Sequence, residues 1–242
     1  MNRSVRVVLR GVGVAAASVF ALFTYMYLTL PDVRPLKTTN PTTTAFIELR
    51  AHEARAKGQQ PRRDQRWVSY RNIAPDLKRA VLVAEDSAFW QHDGVDYEQL
   101  QESLEADWER GRFLRGGSTI TQQLAKNLYL SPSKNPVRKL RELMIARRLE
   151  AELKKSRILE LYLNLIEWGD GIYGADAAAR RYFQTSAAAL GPNESALLAA
   201  AIINPRVLNP GRPSKGLIRR QQLILRRMGV VTPPEESAVE PR

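Results

Sequence analysis

From Gly11 to Leu30 the chain reads GVGVAAASVFALFTYMYLTL, twenty positions without a charge. As a helix this stretch spans about 30 Å, the thickness of a bilayer's hydrocarbon core. No face of it is polar, so it does not suit a half-buried helix of a globular domain. Arg3, Arg6 and Arg10 precede it, Tyr25 and Tyr27 stand near its far end, and Pro31 stops it. A cleaved export signal has a shorter apolar core, roughly 7–15 residues, that ends in small residues; this run ends Leu-Thr-Leu-Pro. The pattern predicts a membrane-spanning anchor over 11–30, with residues 1–10 inside and the bulk of the chain outside.

The next segment, 31–66, is rich in Thr and Pro and then in charge, and reads as an extended linker. One short amphipathic helix is expected within it, from Phe46 to Lys57. From Trp67 to about Gly229 apolar residues return with helical spacing almost everywhere. Helices are expected from Asp76 through Val83, over Tyr97–Arg110, Thr119–Tyr129, Val137–Lys154, Arg157–Ile166, Ala175–Tyr182, Glu194–Ile203 and Leu217–Met228. Alternating strand patterns are hard to find, and there is no internal repeat. Residues 230–242 are polar and proline-rich and read as a disordered tail. The expectation is a mainly α domain over 67–229 behind a single anchor.

Charge narrows the partner. Lys and Arg number 37 against 25 Asp and Glu, which favours nucleic acid, anionic lipid or a phosphorylated substrate. The absence of cysteine excludes disulfides and thiolate metal sites.

Three stretches carry candidate chemistry. In 84-AEDSAFWQHDG-94, Glu85 follows an apolar helical run. Partial desolvation there raises a carboxylate's pKa toward that of a general base. Phe89, four residues on, could wall it, and a salt bridge or loop cap explains it equally well. His92 suits a structural hydrogen bond, and its spacing from His52 is not that of a zinc site. In 116-GGSTITQQLAKN-127, Thr119 and Gln122 have capping-box spacing. Free amide groups and the helix dipole would favour an anion, but an ordinary capped helix fits too. In 134–157, nine Lys/Arg surround three Glu, and Lys134, Arg138 and Glu142 can share one helix face. That face is either solvated or a diphosphate cradle.

Taken together, five blocks in order resemble one family: 85-EDSAFWQHDG-94, 116-GGSTITQQLAKN-127, 138-RKLRE-142, 158-ILELYLNLIEWGDGIYGADAAARRYF-183 and 194-ESALLAAAIINPRVLNP-210. The chain is similar to monofunctional biosynthetic peptidoglycan transglycosylases, relatives of the glycosyltransferase domain of class A penicillin-binding proteins. The resemblance implies a lysozyme-like helical fold with two lobes around a cleft. It implies polymerisation of lipid II into glycan with loss of undecaprenyl diphosphate, at the outer face of a bacterial inner membrane. Its partners would be lipid II, the polyprenyl-linked glycan chain, the membrane and other cell-wall synthesis proteins, and not nucleic acid. Carried over by the resemblance, Glu85 is the base and Glu142 the second functional carboxylate. Lys126 and Lys134 would hold the donor diphosphate; the family commonly has arginine at the second position, and an ammonium lacks its bidentate fork. Asp86, Phe89, Ser118, Gln122, Gln123, Asn127 and Arg138 would line the substrate cleft. No cofactor is required, though Mg or Mn could assist at the diphosphate, with ligands left unknown. The segment 105–115 is expected to form a membrane-touching flap. Two other readings remain at this point: a glycan-cleaving enzyme on the same kind of fold, and a non-enzymatic anchor for anionic polymers.

Overall fold

A computed structural model describes residues 3–101, 117–133 and 135–229. The expected helix Tyr97–Arg110 is helical over 97–101 and otherwise lies outside the described residues, as do the proposed flap, Lys134 and the tail. The described residues are mainly helical.

The first helix runs Arg3–Leu28. Its stretch Arg10–Leu28 is long and apolar enough to cross a membrane, with a mean hydropathy of 1.7. Phe20, Tyr25 and Leu28 lie exposed on it, whereas Met26, near its end, is buried against the rest of the chain. Arginines of a second helix, Pro136–Glu152, meet that end. Arg141 donates to Thr29 Oγ1 at 3.1 Å and to the Thr29 carbonyl, and Arg148 reaches the carbonyls of Leu30 and Pro31, each at 3.4 Å. Cations at a helix C-terminus meet its unpaired carbonyls and the negative end of its dipole.

The segment 31–66 is not an extended tether. Val33 and Leu36 are buried in the main hydrophobic core. A helix, Ala45–Ala56, starts where Thr44 accepts a hydrogen bond from Ile47 N–H. Asp64–Gln65 forms a strand. The short helix expected from Phe46 to Lys57 is present, but the apolar residues before it are too sparse to show a period; Val33 and Leu36 nevertheless enter the core, and Arg157 holds the Leu36 and Thr39 carbonyls. Gln65 donates to the Asn164 carbonyl at 3.3 Å, and just past the segment the buried Asn164 side-chain amide accepts from Val68 N–H and donates to Val68 O, both at 2.9 Å.

Helix Lys155–Leu165 has Lys155, Ser156, Arg157 and Glu160 only partly buried, but from Ile158 on it buries Ile158, Leu159, Leu161, Tyr162, Leu163, Asn164 and Leu165. Such a helix belongs in the middle of a domain. Helix Ile120–Tyr129 packs between it and Pro136–Glu152. Helices Pro75–Glu85, Pro192–Ala201 and Lys215–Arg227 pack on one another. Three of these helices open on a proline (Pro75, Pro136 and Pro192), whose missing N–H costs nothing in a first turn.

A three-stranded sheet is also present, and the sequence pattern did not predict it. Ile172–Tyr173 pairs in parallel with Asp64–Gln65 and antiparallel with Glu167–Gly169. Strands of two or three residues are too short to display a period of two. The turn between the antiparallel pair needs Gly171, whose φ is +73° and where a Cβ would lie 2.5 Å from that of Arg62.

Candidate active site

Glu85 is the last residue of helix Pro75–Glu85, and Asp86 follows it in an extended conformation that turns its side chain away from the helix. The two adjacent acids therefore have different jobs. Asp86 is 2% exposed. Its Oδ2 accepts from Ile120 N–H at 2.8 Å, and its Oδ1 is 2.9 Å from His92 Nε2. Because His92 Nδ1 accepts from Gly94 N–H, the ring proton sits on Nε2 and is donated to Asp86. Asp86 thus occupies the anion-favouring start of helix Ile120–Tyr129. That corrects two expectations. The helix terminus already holds a carboxylate of its own chain, and Asp86, expected to bind substrate, has both oxygens engaged internally. Phe89 is corrected likewise: it is fully buried, edge-on to Trp90 with ring centroids 5.0 Å apart, with Lys155 Nζ 4.4 Å over its face. Its ring has no face left open to solvent.

The capping box forms by half. Thr119 accepts from Gln122 N–H at 3.2 Å and donates to Gly94 O at 2.7 Å. The Gln122 side chain does not return to Thr119. It donates to Gly94 O at 3.2 Å and accepts from Lys139 Nζ at 3.0 Å. Tertiary partners have displaced the local one.

Glu85 keeps its carboxylate at the edge of the core, with the side chain 13% exposed. Oε2 accepts from Gln123 Nε2 at 3.0 Å, and Oε1 lies 3.8 Å from an Arg220 nitrogen. Burial pushes its pKa above the ordinary carboxylate value, and Gln123, Arg220 and Lys126 oppose that shift in part. Its place at a helix C-terminus acts in the same direction as burial.

One turn beyond Gln123, Lys126 is pushed the other way. Burial lowers its pKa; the charge of Glu142 opposes this, while Arg138 and Lys139 add to it. Among the described residues Lys126 Nζ has no hydrogen-bond partner, its backbone carbonyl accepting from Leu130 N–H, so the three ammonium donors stay available to a ligand. Glu142 is 4% exposed at its side chain and is held by Arg138 at 2.6 Å and by Lys139. Lys139 also reaches Ser118 Oγ at 3.1 Å. Asn127 turns its amide onto the Gln123 carbonyl of its own helix at 2.8 Å.

The structure therefore brings together Glu85, Gln123, Lys126, Ser118, Gln122, Arg138 and Glu142. It sets Asp86 and Phe89 in supporting positions and leaves Lys134 undescribed. Sequence reasoning missed three participants. Lys139 had a signal, being three residues before Glu142 in 138-RKLRE-142. Arg220 and Tyr162 had none, because only folding brings their helices to Glu85. Four cations (Lys126, Arg138, Lys139 and Arg220) face two carboxylates across this region. Beside Lys139 and Gln122 lies a largely apolar cavity of about 450 Å³ lined by Tyr97, Leu100, Leu143 and Met144. Larger cavities of about 560 and 750 Å³ lie by the small sheet, and the arginines they share with Glu53, Glu167 and Asp170 are ion-paired there. Among the described residues no three His, Cys, Asp or Glu side chains cluster to hold a metal ion. Among the described residues both oxygens of Glu142 are engaged by cations.

A desolvated carboxylate in a region where cations outnumber acids, on a helical domain behind an apolar helix, suits a group-transferring enzyme. The transglycosylase family profile matches residues 52–229. The chain is 47% identical over 195 residues to a biosynthetic peptidoglycan transglycosylase of Dechloromonas aromatica, covering 81% of this chain and 84% of the relative. It is 43% identical to one from Laribacter hongkongensis over 94% of this chain and 98% of the relative. A third, from Aromatoleum aromaticum, is 53% identical over 69% of this chain and 73% of the relative. The chain belongs to the transglycosylase family, that of the biosynthetic peptidoglycan transglycosylases. The matched region starts at residue 52, inside the segment expected to be linker, in keeping with that segment's packing on the domain.

Proposed function

We propose that the protein polymerises the glycan of peptidoglycan from lipid II at the outer face of the bacterial inner membrane. The observation that carries this reading is the pairing of Glu85 with Lys126. Gln123 hydrogen-bonds Glu85 from helix Ile120–Tyr129, and Lys126 follows Gln123 by one turn of that helix, so the cation stands on the helix face that meets the base, and its charge acts on it. Glu85 takes the proton from the 4-OH of the acceptor GlcNAc as that oxygen attacks the anomeric carbon of the donor. The new C–O bond forms on the face opposite the diphosphate, the bond to the diphosphate oxygen breaks, and the configuration inverts. The departing polyprenyl diphosphate carries the negative charge, which Lys126, Arg138 and Lys139 offset. A diphosphate stabilised in this way needs no acid to protonate it.

A glycan-cleaving enzyme would use a second carboxyl as acid, nucleophile or base toward water. Glu142, held by Arg138 and Lys139, suits none of those roles, and cleavage would leave Lys126 without one. The apolar cavity beside Lys139 supports a substrate with a lipid portion. Cations before the apolar helix support an inside N-terminus.

The test is lipid II polymerisation by the full-length protein in detergent, beside Glu85→Gln. The wild type should lengthen glycan, and the variant should lose at least about 10²-fold while still unfolding cooperatively. Wild-type turnover in Glu85→Gln would remove the base assignment. Soluble muropeptides from sacculi, without glycan lengthening, would favour the hydrolase.

A further inference from the structure

Helix Lys155–Leu165 buries one hydroxyl that the reaction above does not use. Tyr162 is fully buried and its OH donates to Gln123 Oε1 at 2.9 Å. The Gln123 amide nitrogen donates on its other side to Glu85 Oε2 at 3.0 Å and, more weakly, to Ser118 O at 3.4 Å. Tyr162, Gln123 and Glu85 thus form a chain of three side chains from the core to the base.

The chain has a direction. A carboxylate and a backbone carbonyl can only accept, so the amide nitrogen must face Glu85 and Ser118. That leaves Oε1 toward Tyr162, where only a donor satisfies it. Turning the amide over would set Oε1 against two acceptors and its NH2 against a phenol that would then lack an acceptor for its own proton. Burial, with the charges of Glu85 and Asp86, pushes the Tyr162 pKa well above its ordinary value, so the phenol remains a donor.

We propose that Tyr162 is a positioning residue that holds the Gln123 amide with its N–H toward Glu85 and so keeps the base ionised and aimed. A protonated Glu85 would prefer an acceptor opposite it, which the locked amide refuses. Removing the phenol lets the amide turn and accept from the protonated acid, so the carboxyl should hold its proton to higher pH. Arg220, Lys126 and Tyr162 face Glu85 from the helices around it, and Asp86 follows it in the chain. None of the three cationic or acidic groups changes in Tyr162→Phe. The packed helix Pro192–Ala201 has a single titratable residue, Glu194, which is not among the charges acting on Glu85.

This inference rests on Glu85 being the base. The experiment is the pH profile of kcat/KM for lipid II with wild type, Tyr162→Phe, Gln123→Leu and the double variant, each checked for cooperative unfolding. The acid limb should move up by about 0.5–1 pH unit in Tyr162→Phe. The deficit should be largest on the acid side and close as pH rises. Gln123→Leu should move the limb at least as far, and adding Tyr162→Phe to it should move it no further. Replacing Tyr162 with 3-fluorotyrosine, a stronger donor of nearly the same shape, should move the limb the opposite way, which keeps the question open to refutation if Tyr162→Phe does not fold. An unmoved limb in both Tyr162 replacements, or additive shifts in the double variant, would overturn the proposal. The two failures are separable: an active Glu85→Gln defeats the base, whereas an inactive Glu85→Gln with an unmoved limb in the Tyr162 variants defeats only the positioning.

Discussion

Asp86→Ala separates a structural acid from a substrate-binding one. In the wild type the Asp86 carboxylate is 2% exposed and accepts from Ile120 N–H and His92 Nε2–H. The substitution leaves both donors buried without acceptors. A hydrogen bond to a charged group is worth about 1.5–3 kcal/mol. The two share one carboxylate and do not add fully, which gives a loss of about 3–5 kcal/mol. A domain of this size is typically stable by only about 5–15 kcal/mol. At about 2–4 °C per kcal/mol, the melting temperature should fall by about 6–20 °C. Asp86→Asn should lose less, since its carbonyl can still serve Ile120 while its NH2 opposes the His92 proton. The assay is thermal unfolding of the full-length protein in detergent, with glycan polymerisation measured at two temperatures. Activity should follow the folded fraction and recover on cooling. An Asp86→Ala protein that melts like the wild type but shows a raised KM for lipid II would refute this reasoning and restore Asp86 to the substrate site.

Glu85→Gln should raise the melting temperature at neutral pH while removing activity. The folded-state pKa of Glu85 lies above its unfolded value, so above that range its charge disfavours the fold; the gain should fade as pH drops below the ordinary carboxylate pKa, and a lowered melting temperature at pH 7 would contradict it. Lys126→Met should likewise stabilise, because burial opposes its charge, while cutting polymerisation by about 10²–10³-fold; an unchanged dependence on donor concentration would contradict the diphosphate role. Gly171→Ala should cost about 1–3 kcal/mol in thermal unfolding, through its φ of +73° and the contact with Arg62; wild-type stability would show that the strand junction gives way freely.

What was legible in the sequence was whatever a local period or a local cap encodes. The helix expected over Arg157–Ile166 showed in the four-residue spacing of Leu161 and Leu165 and is found at Lys155–Leu165, and Thr119 did cap the helix that its spacing indicated. Glu85 could be picked out as a partly desolvated acid because the run before it was apolar. The split between Glu85 and Asp86 was not legible, since it depends on one backbone turn and on a helix start that is distant in the chain. The same holds for Arg220 and Tyr162, which come to Glu85 from separate helices. Lys139 had its three-residue spacing from Glu142 as a signal, but among nine cations that spacing did not reveal its bonds to Ser118 and Gln122, which only folding supplies. The docking of 31–66 was hidden because Val33 and Leu36 are single apolar residues whose partners are supplied entirely by the domain.

Helix Pro136–Glu152 looks two ways. Toward the site it offers Arg138, Lys139 and Glu142; toward the first helix it offers Arg141 and Arg148. Arg138 and Arg148 are ten residues apart, about 15 Å of a stiff rod. In the membrane setting proposed above, the altitude of the cation cluster over the lipid surface is then set by a count of residues in a helix and not by slack in a leash. The catalyst cannot stoop to collect its donor. The donor must arrive at the right height by sliding sideways in the plane of the bilayer, so two-dimensional traffic becomes the supply line of the reaction.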